Sequence, residues 1–292
     1  MKIQPECVPC LLKRIIFEAD QTSTDEKKRT QAIQNACKLL SETYNPKKSS
    51  AEIATKIHKI VYQTLEDKDP YHLLKQQSNQ IAVSLLPKVE ALIHNSQHPL
   101  KTSMICSIIG NIMDFGIAGS GKNPEALKED FDRLYQEGVG YDEYPKLENI
   151  LRKTRKIVFF TDNCGEIVFD KLLCRELKKF DSSFFISLVV KGEPIISDAT
   201  LEDIQSIHFE EVVDEIMTTG CFAIGVDFVR LPHEVRSVLE AADLILCKGM
   251  ANFEAFSETM YRPVAYLLRS KCGPIARSLG VPRDMNVIKV FE

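Results

Sequence analysis

Asp162 and Asn163 stand just beyond an apolar run, Lys156-Ile157-Val158-Phe159-Phe160, and just before Cys164-Gly165. A carboxylate and an amide there put side-chain oxygens where a buried strand gives way to a helix. In open α/β sheets ligands bind at that place, because loop amides and helix N-termini converge on it. Three more polar sets follow apolar runs. Residues 184–190 run through Lys191-Gly192-Glu193-Pro194 to Ser197-Asp198-Ala199; residues 244–247 lead into Lys248-Gly249-x-x-Asn252-Phe253-Glu254; and residues 264–268 lead into Arg269-Ser270-Lys271-Cys272. Singly, each has a plain explanation, such as Asp198 capping a helix that begins near Leu201. Together they place two Asp, two Asn and, in Lys248 and Lys271, two Lys of interest after four predicted strands, and parallel strands would bring them to one rim.

The hydrophobic periodicity supplies the elements those positions need. Glu166 opens a helix carrying Ile167, Val168, Leu172, Leu173 and Leu177, with acid in its first turn and Lys178-Lys179 at its end. Beyond residue 149, strands at 156–160, 184–190, 215–217, 244–247, 264–268 and 287–291 alternate with helical stretches such as 233–242 and 274–279. That alternation predicts an α/β fold, a Rossmann-like, mainly parallel sheet with helices on both faces and right-handed crossovers. Before it, residues 27–43, 50–65 and 73–94 repeat apolar side chains three and four apart, as at Ile53, Ile57, Ile60 and Val61, and Pro46, Pro70 and Pro99 break them. The chain therefore divides into an all-helical region, 1–150, and a Rossmann-like domain, 151–292.

Composition narrows the function classes. The chain has 292 residues, 44% hydrophobic and 27% charged, with a net charge of -4. That argues against the concentrated basic face of a nucleic-acid binder. No apolar run approaches the roughly 20 residues needed to span a bilayer. The first residues lack the apolar core of a signal peptide, which predicts a cytoplasmic protein. Nine cysteines agree with that setting, the count being odd and most lying in apolar segments.

Cys7-Val8-Pro9-Cys10 precedes an amphipathic helix near 11–20, whose N-terminus would lower a thiol pKa. No second CxxC or His pair stands at zinc-finger spacing, and the expectation is that the pair stays out of the chemistry, away from the polar rim. His58, His72, His94 and His98 have no metal-site company and read as surface or packing residues. Asn111 and Asp114 lie three apart on one helical face inside an apolar run, where caps or buried hydrogen-bonding side chains are the plain reading. Gly119-Ser120-Gly121-Lys122 is no phosphate loop, lacking both the full motif and a preceding strand.

These motifs resemble the damage-control phosphatases, a family first catalogued as a domain of unknown function. The resemblance rests on Asp162-Asn163-x-Gly165-Glu166, Ser197-Asp198-Ala199, Lys248-Gly249-x-x-Asn252-Phe253-Glu254 and Arg269-Ser270-Lys271-Cys272. Gly110-Asn111-x-x-Asp114-Phe115 and the CxxC pair are similar to the CxxC-bearing branch, so nearly the whole chain is covered. It implies metal-dependent hydrolysis of phosphate monoesters of small metabolites, with Asp162, Asn163 and Asp198 as metal ligands and Mn2+, Ni2+, Co2+ or Mg2+ as cofactor. Two carboxylates and an amide oxygen suit a hard divalent cation with open positions for water and phosphate. Lys271, with Lys248 as the weaker candidate, would offset charge on the phosphoryl oxygens, helped by amides at the Gly165-Glu166 helix start. Glu254 would orient water, and Asn111, Asp114, Gly249 and Asn252 would meet the substrate. A haloacid-dehalogenase mechanism needs an Asp where Cys164 stands. A carboxyl methyltransferase needs a glycine-rich first turn, which is missing. A metal-dependent metabolite-binding module without turnover remains the alternative from another class.

Overall fold

The computed structural model describes residues 1–113 and 125–292. The six expected strands all form: β2 (Lys156–Phe160), β3 (Phe185–Val190), β4 (Glu215–Thr218), β5 (Leu244–Lys248), β6 (Val264–Arg269) and β7 (Asn286–Phe291). A further strand, β1 (Tyr141–Asp142), is only two residues long and carries no alternation by which to find it. The seven lie in the order β1-β7-β6-β5-β2-β3-β4. The five from β2 to β6 are mutually parallel, and β7 runs antiparallel to β6.

The near-continuous apolar runs follow from cover on both faces. In β2, Ile157 and Phe159 enter one core while Val158 and Phe160 enter the other. The first core is closed by α5 (Pro99–Gly110), α7 (Tyr144–Leu151) and α8 (Glu166–Phe180); the second by α10 (His233–Glu240), α11 (Gly249–Phe256) and α12 (Gly273–Leu279). A third core lies among α1 (Cys7–Thr22), α2 (Glu26–Thr43), α3 (Ser50–Leu65), α4 (His72–His94) and α6 (Ala126–Glu137), and takes in Val168, Phe169 and Leu172 of α8. The short α9 (Leu201–Gln205) follows β3.

Two details shift the expected division at 150/151. β1 pairs with β7, and Leu100, Met104 and Ile108 of α5 sit in the core under the sheet. The part of the chain before residue 151 thus contributes to the sheet layer as well as to the helical one. No helix among the described residues is long and apolar enough to cross a membrane.

Candidate active site

Strand order turns at β2: its successor β3 lies on one side, while β5 lies on the other. A crevice opens beyond the carboxyl ends of β2 and β5, the place where such sheets take ligands. Asp162 and Asn163 leave β2 on one side of it, and Gly249 opens α11 on the other. Gly249 has φ +73°, and a Cβ at that position would land on the Asp162 carboxylate. Only glycine permits both the backbone conformation and the approach.

The segment between β3 and α9 completes the rim. Cys164 N–H donates to Ser197 O (2.8 Å), Ala199 N–H donates to Asp162 O (2.8 Å), and residues 163 and 198 form an antiparallel bridge. Asp162, Asn163 and Asp198 are thereby side by side, at 5%, 1% and 1% exposure. The Asn163 amide is oriented by three partners: its Nδ2 donates to Asp162 Oδ2 (2.7 Å) and Glu166 Oε2 (3.2 Å), and its Oδ1 accepts from Ser197 Oγ (2.6 Å). Lys191 Nζ lies 3.2 Å from Asp198 Oδ2 and balances one of the two carboxylate charges.

All three side chains line a cavity of about 280 Å³. Among the described residues no three His, Cys, Asp or Glu stand together at metal-holding distance. What the rim brings together is two carboxylates and a side-chain amide, each lining the cavity. That is the donor chemistry of a hard divalent cation rather than of a closed zinc site.

Lys271 and Glu254 line the same cavity. Lys271 Nζ donates to the Asn111 carbonyl at 2.6 Å, which ties the last polar set to the end of α5. Glu254 accepts from the Ser50 hydroxyl, and burial pushes its carboxyl above the usual range.

Several expected substrate contacts are placed otherwise. Lys248 is wholly buried beneath the rim, its ammonium on Glu166 Oε1 and 3.1 Å from Asp170 Oδ1, where it is their counter-ion and does not line the cavity. Burial alone would pull that ammonium's pKa down; the Asp170 and Glu166 carboxylates outweigh it, and the net direction is upward. Asn252 Nδ2 donates to Thr161 O (2.9 Å) and Lys248 O (2.8 Å), pinning the ends of β2 and β5 together. Asn111, wholly buried, donates to Asp162 Oδ2 (2.8 Å) and Glu166 Oε2 (2.7 Å), aimed at the carboxylates and not at the cavity. Gly165 N–H, expected to face phosphate, instead donates to Asn79 Oδ1 of α4 at 2.5 Å. Asp114 lies outside the described residues.

The CxxC pair is nearer than expected. Cys7, Cys10 and Cys272 line the cavity that Asp162 lines. Burial pushes the Cys7 thiol up and the Cys272 thiol up to about 12. His58 also lines this cavity, and its Nδ1 is 2.7 Å from Glu18 Oε1, both residues being buried. The sequence signal was there in the helical stripes. Glu18 falls on the inward face of α1 with Leu11, Ile15 and Ala19, and His58 on that of α3 with Ile53, Ile57 and Val61, positions where a charge needs a buried partner.

Comparison with known proteins gives concordant likenesses. Residues 3–287 match the model of the Damage-control phosphatase ARMT1-like domain. A damage-control phosphatase of Archaeoglobus fulgidus is 40% identical over the whole of both chains, and one of Pyrococcus horikoshii is 29% identical over 98% of this chain and 97% of that one. The crystal structure of a DUF89 family protein from Pyrococcus horikoshii superposes with a TM-score of 0.88 at 28% identity, covering 99% of each chain.

Proposed function

This chain belongs to the Damage-control phosphatase ARMT1-like family, and from that membership and the rim geometry we propose that it is a metal-dependent phosphatase acting on phosphate monoesters of small metabolites, in the service of metabolite repair. The observation that carries the reading is the 163–198 bridge, which sets Asp162, Asn163 and Asp198 on one wall of a cavity that Lys271 also lines. Those three side chains would hold Mn2+, Ni2+, Co2+ or Mg2+. Such a cation supplies charge neutralisation at a phosphoryl oxygen and a lowered pKa for its water. The chain's own residues do the rest. Lys271 sets an ammonium where negative charge spreads over the phosphoryl oxygens. Glu254 offers a half-buried acceptor that orients the attacking water. Asn111 and Glu166 keep Asp162 and Asn163 in one orientation, so no reorganisation is needed during the reaction.

The test is phosphate release from a panel of sugar phosphates and nucleotides with each of the four metals, before and after chelation. Turnover is expected to need metal. Asp162→Ala and Asp198→Ala should each lower it at least about a hundredfold, on the order of 3 kcal/mol of barrier. A folded variant of either kind with near-parental turnover at saturating metal overturns the assignment. Metal binding by calorimetry without phosphate release from any ester would make the chain a binding module instead.

A further inference from the structure

A metal, a lysine and an oriented water leave one requirement of monoester hydrolysis unmet. When the P–O bond breaks in an alkyl phosphate, the departing alkoxide is a strong base and needs a proton. The cavity offers few groups to supply it. Burial pushes the thiols of the half-buried Cys7 and Cys272 up, Lys271 donates to the Asn111 carbonyl, and Glu254 accepts from Ser50. His58 is different in kind, because an imidazole can donate a proton from one ring nitrogen while the other lies beside a carboxylate.

The surroundings of His58 are those of an oriented proton donor. Its Nδ1 is held 2.7 Å from Glu18 Oε1, and the same carboxylate oxygen accepts from Tyr71 Oη at 3.3 Å. Glu18 and Tyr71 are wholly buried, so the carboxylate cannot turn to water. At that ion-pair distance Nδ1 makes no hydrogen bond to Glu18, and Nε2 is the nitrogen on the other side of a ring that lines the cavity. A carboxylate beside one imidazole nitrogen leaves the other nitrogen to face a substrate.

We propose that His58, positioned by Glu18, protonates the leaving oxygen of the substrate ester. This rests on the phosphatase reading above. In the step, a water oxygen bonds to phosphorus as the ester P–O bond breaks. The electron pair of the broken bond takes the Nε2 proton of His58 and leaves as an alcohol. One proton of the water passes to solvent, and the neutral imidazole regains its own from solvent, so the sum is ester plus water giving alcohol plus inorganic phosphate.

The experiment compares leaving groups. Parent, His58→Gln and Glu18→Gln proteins are assayed with glycerol phosphate, whose alkoxide needs a proton, and with p-nitrophenyl phosphate, whose leaving group does not. The expected result for His58→Gln is a loss of about a hundredfold on the alkyl ester, at least tenfold greater than its loss on the aryl ester, with Glu18→Gln shifted the same way by a smaller factor. Equal losses on the two esters, or no loss, overturn the proposal. Should either variant fail to fold, the parent alone decides: across a series of esters kcat/KM should depend weakly on leaving-group pKa, and a steep dependence refutes the donor. A parent that releases phosphate from neither ester with any of the four metals removes the phosphatase reading, and the role of His58 with it; a parent active on both leaves that reading intact whatever His58 does.

Discussion

Asp170 belongs to a buried triad in which one ammonium, that of Lys248, faces two carboxylates, its own and that of Glu166. Burial pushes the Asp170 carboxyl up to about 7; Lys248 opposes the shift and Glu166 adds to it. An acid whose folded pKa lies above its ordinary value of about 3.9 contributes stability that is full below that value and is lost as pH rises through the folded one. The urea midpoint of the parent should therefore fall between pH 5 and pH 8. Asp170→Asn keeps the acceptor for the Ser107 hydroxyl but cannot ionise, so that part of the fall should vanish; an unchanged slope would show that Asp170 is not the group responsible. Little of this was legible beforehand. Asp162, Asn163, Asp198, Glu254 and Lys271, which line one cavity, were readable as candidates because each follows an apolar run that forms a strand. The buried task of Lys248 depends on Asp170, which lies in the middle of a helix on another element, and no local pattern couples them.

At the scale of elements, the site is set by how closely α5 approaches α8. A Cβ at Gly110 would lie 2.9 Å from the Glu166 backbone and 3.0 Å from the Phe169 ring, so the helices touch where α5 ends. The next residue, Asn111, reaches Asp162 from there. Gly110→Ala should force the helices apart, costing roughly 1 to 3 kcal/mol by overpacking, and should weaken Mn2+ binding as Asn111 withdraws. Paired urea and calorimetric titrations would show it, and an unchanged metal affinity in a destabilised protein would detach Asn111 from the site. The strands were readable because burial on both faces demands uninterrupted apolar runs, as in β2 and β5. The approach of two helices was not, since a glycine at a helix end has the same sequence signature whether it caps the helix or admits a neighbour.

Over the whole molecule, the helical residues finish structures that the sheet residues begin. Asn79 caps the start of α8; Tyr62 Oη accepts from Ile196 N–H (2.9 Å); and Lys75 lies 3.0 Å from Asp203 of α9. Ile196 needs such help, because a β-branched residue at φ +44° costs on the order of 1–3 kcal/mol. Residues 151–292 expressed alone should accordingly show no cooperative urea transition, while the full chain unfolds in one step. A fragment that folds cooperatively and binds Mn2+ would show the two regions to be independent. The cavity itself has two walls of different origin. Asp162, Asn163 and Asp198 stand on the sheet rim, and Leu11, Ala51 and Ala54 face them from α1 and α3. On the proposed reading, the wall that would hold a cation and the wall that would meet the body of a substrate draw their shapes from separate cores. Exchanging Leu11, Ala51 or Ala54 for larger or smaller side chains would then retune which ester is accepted while the wall of Asp162, Asn163 and Asp198 stays as it is.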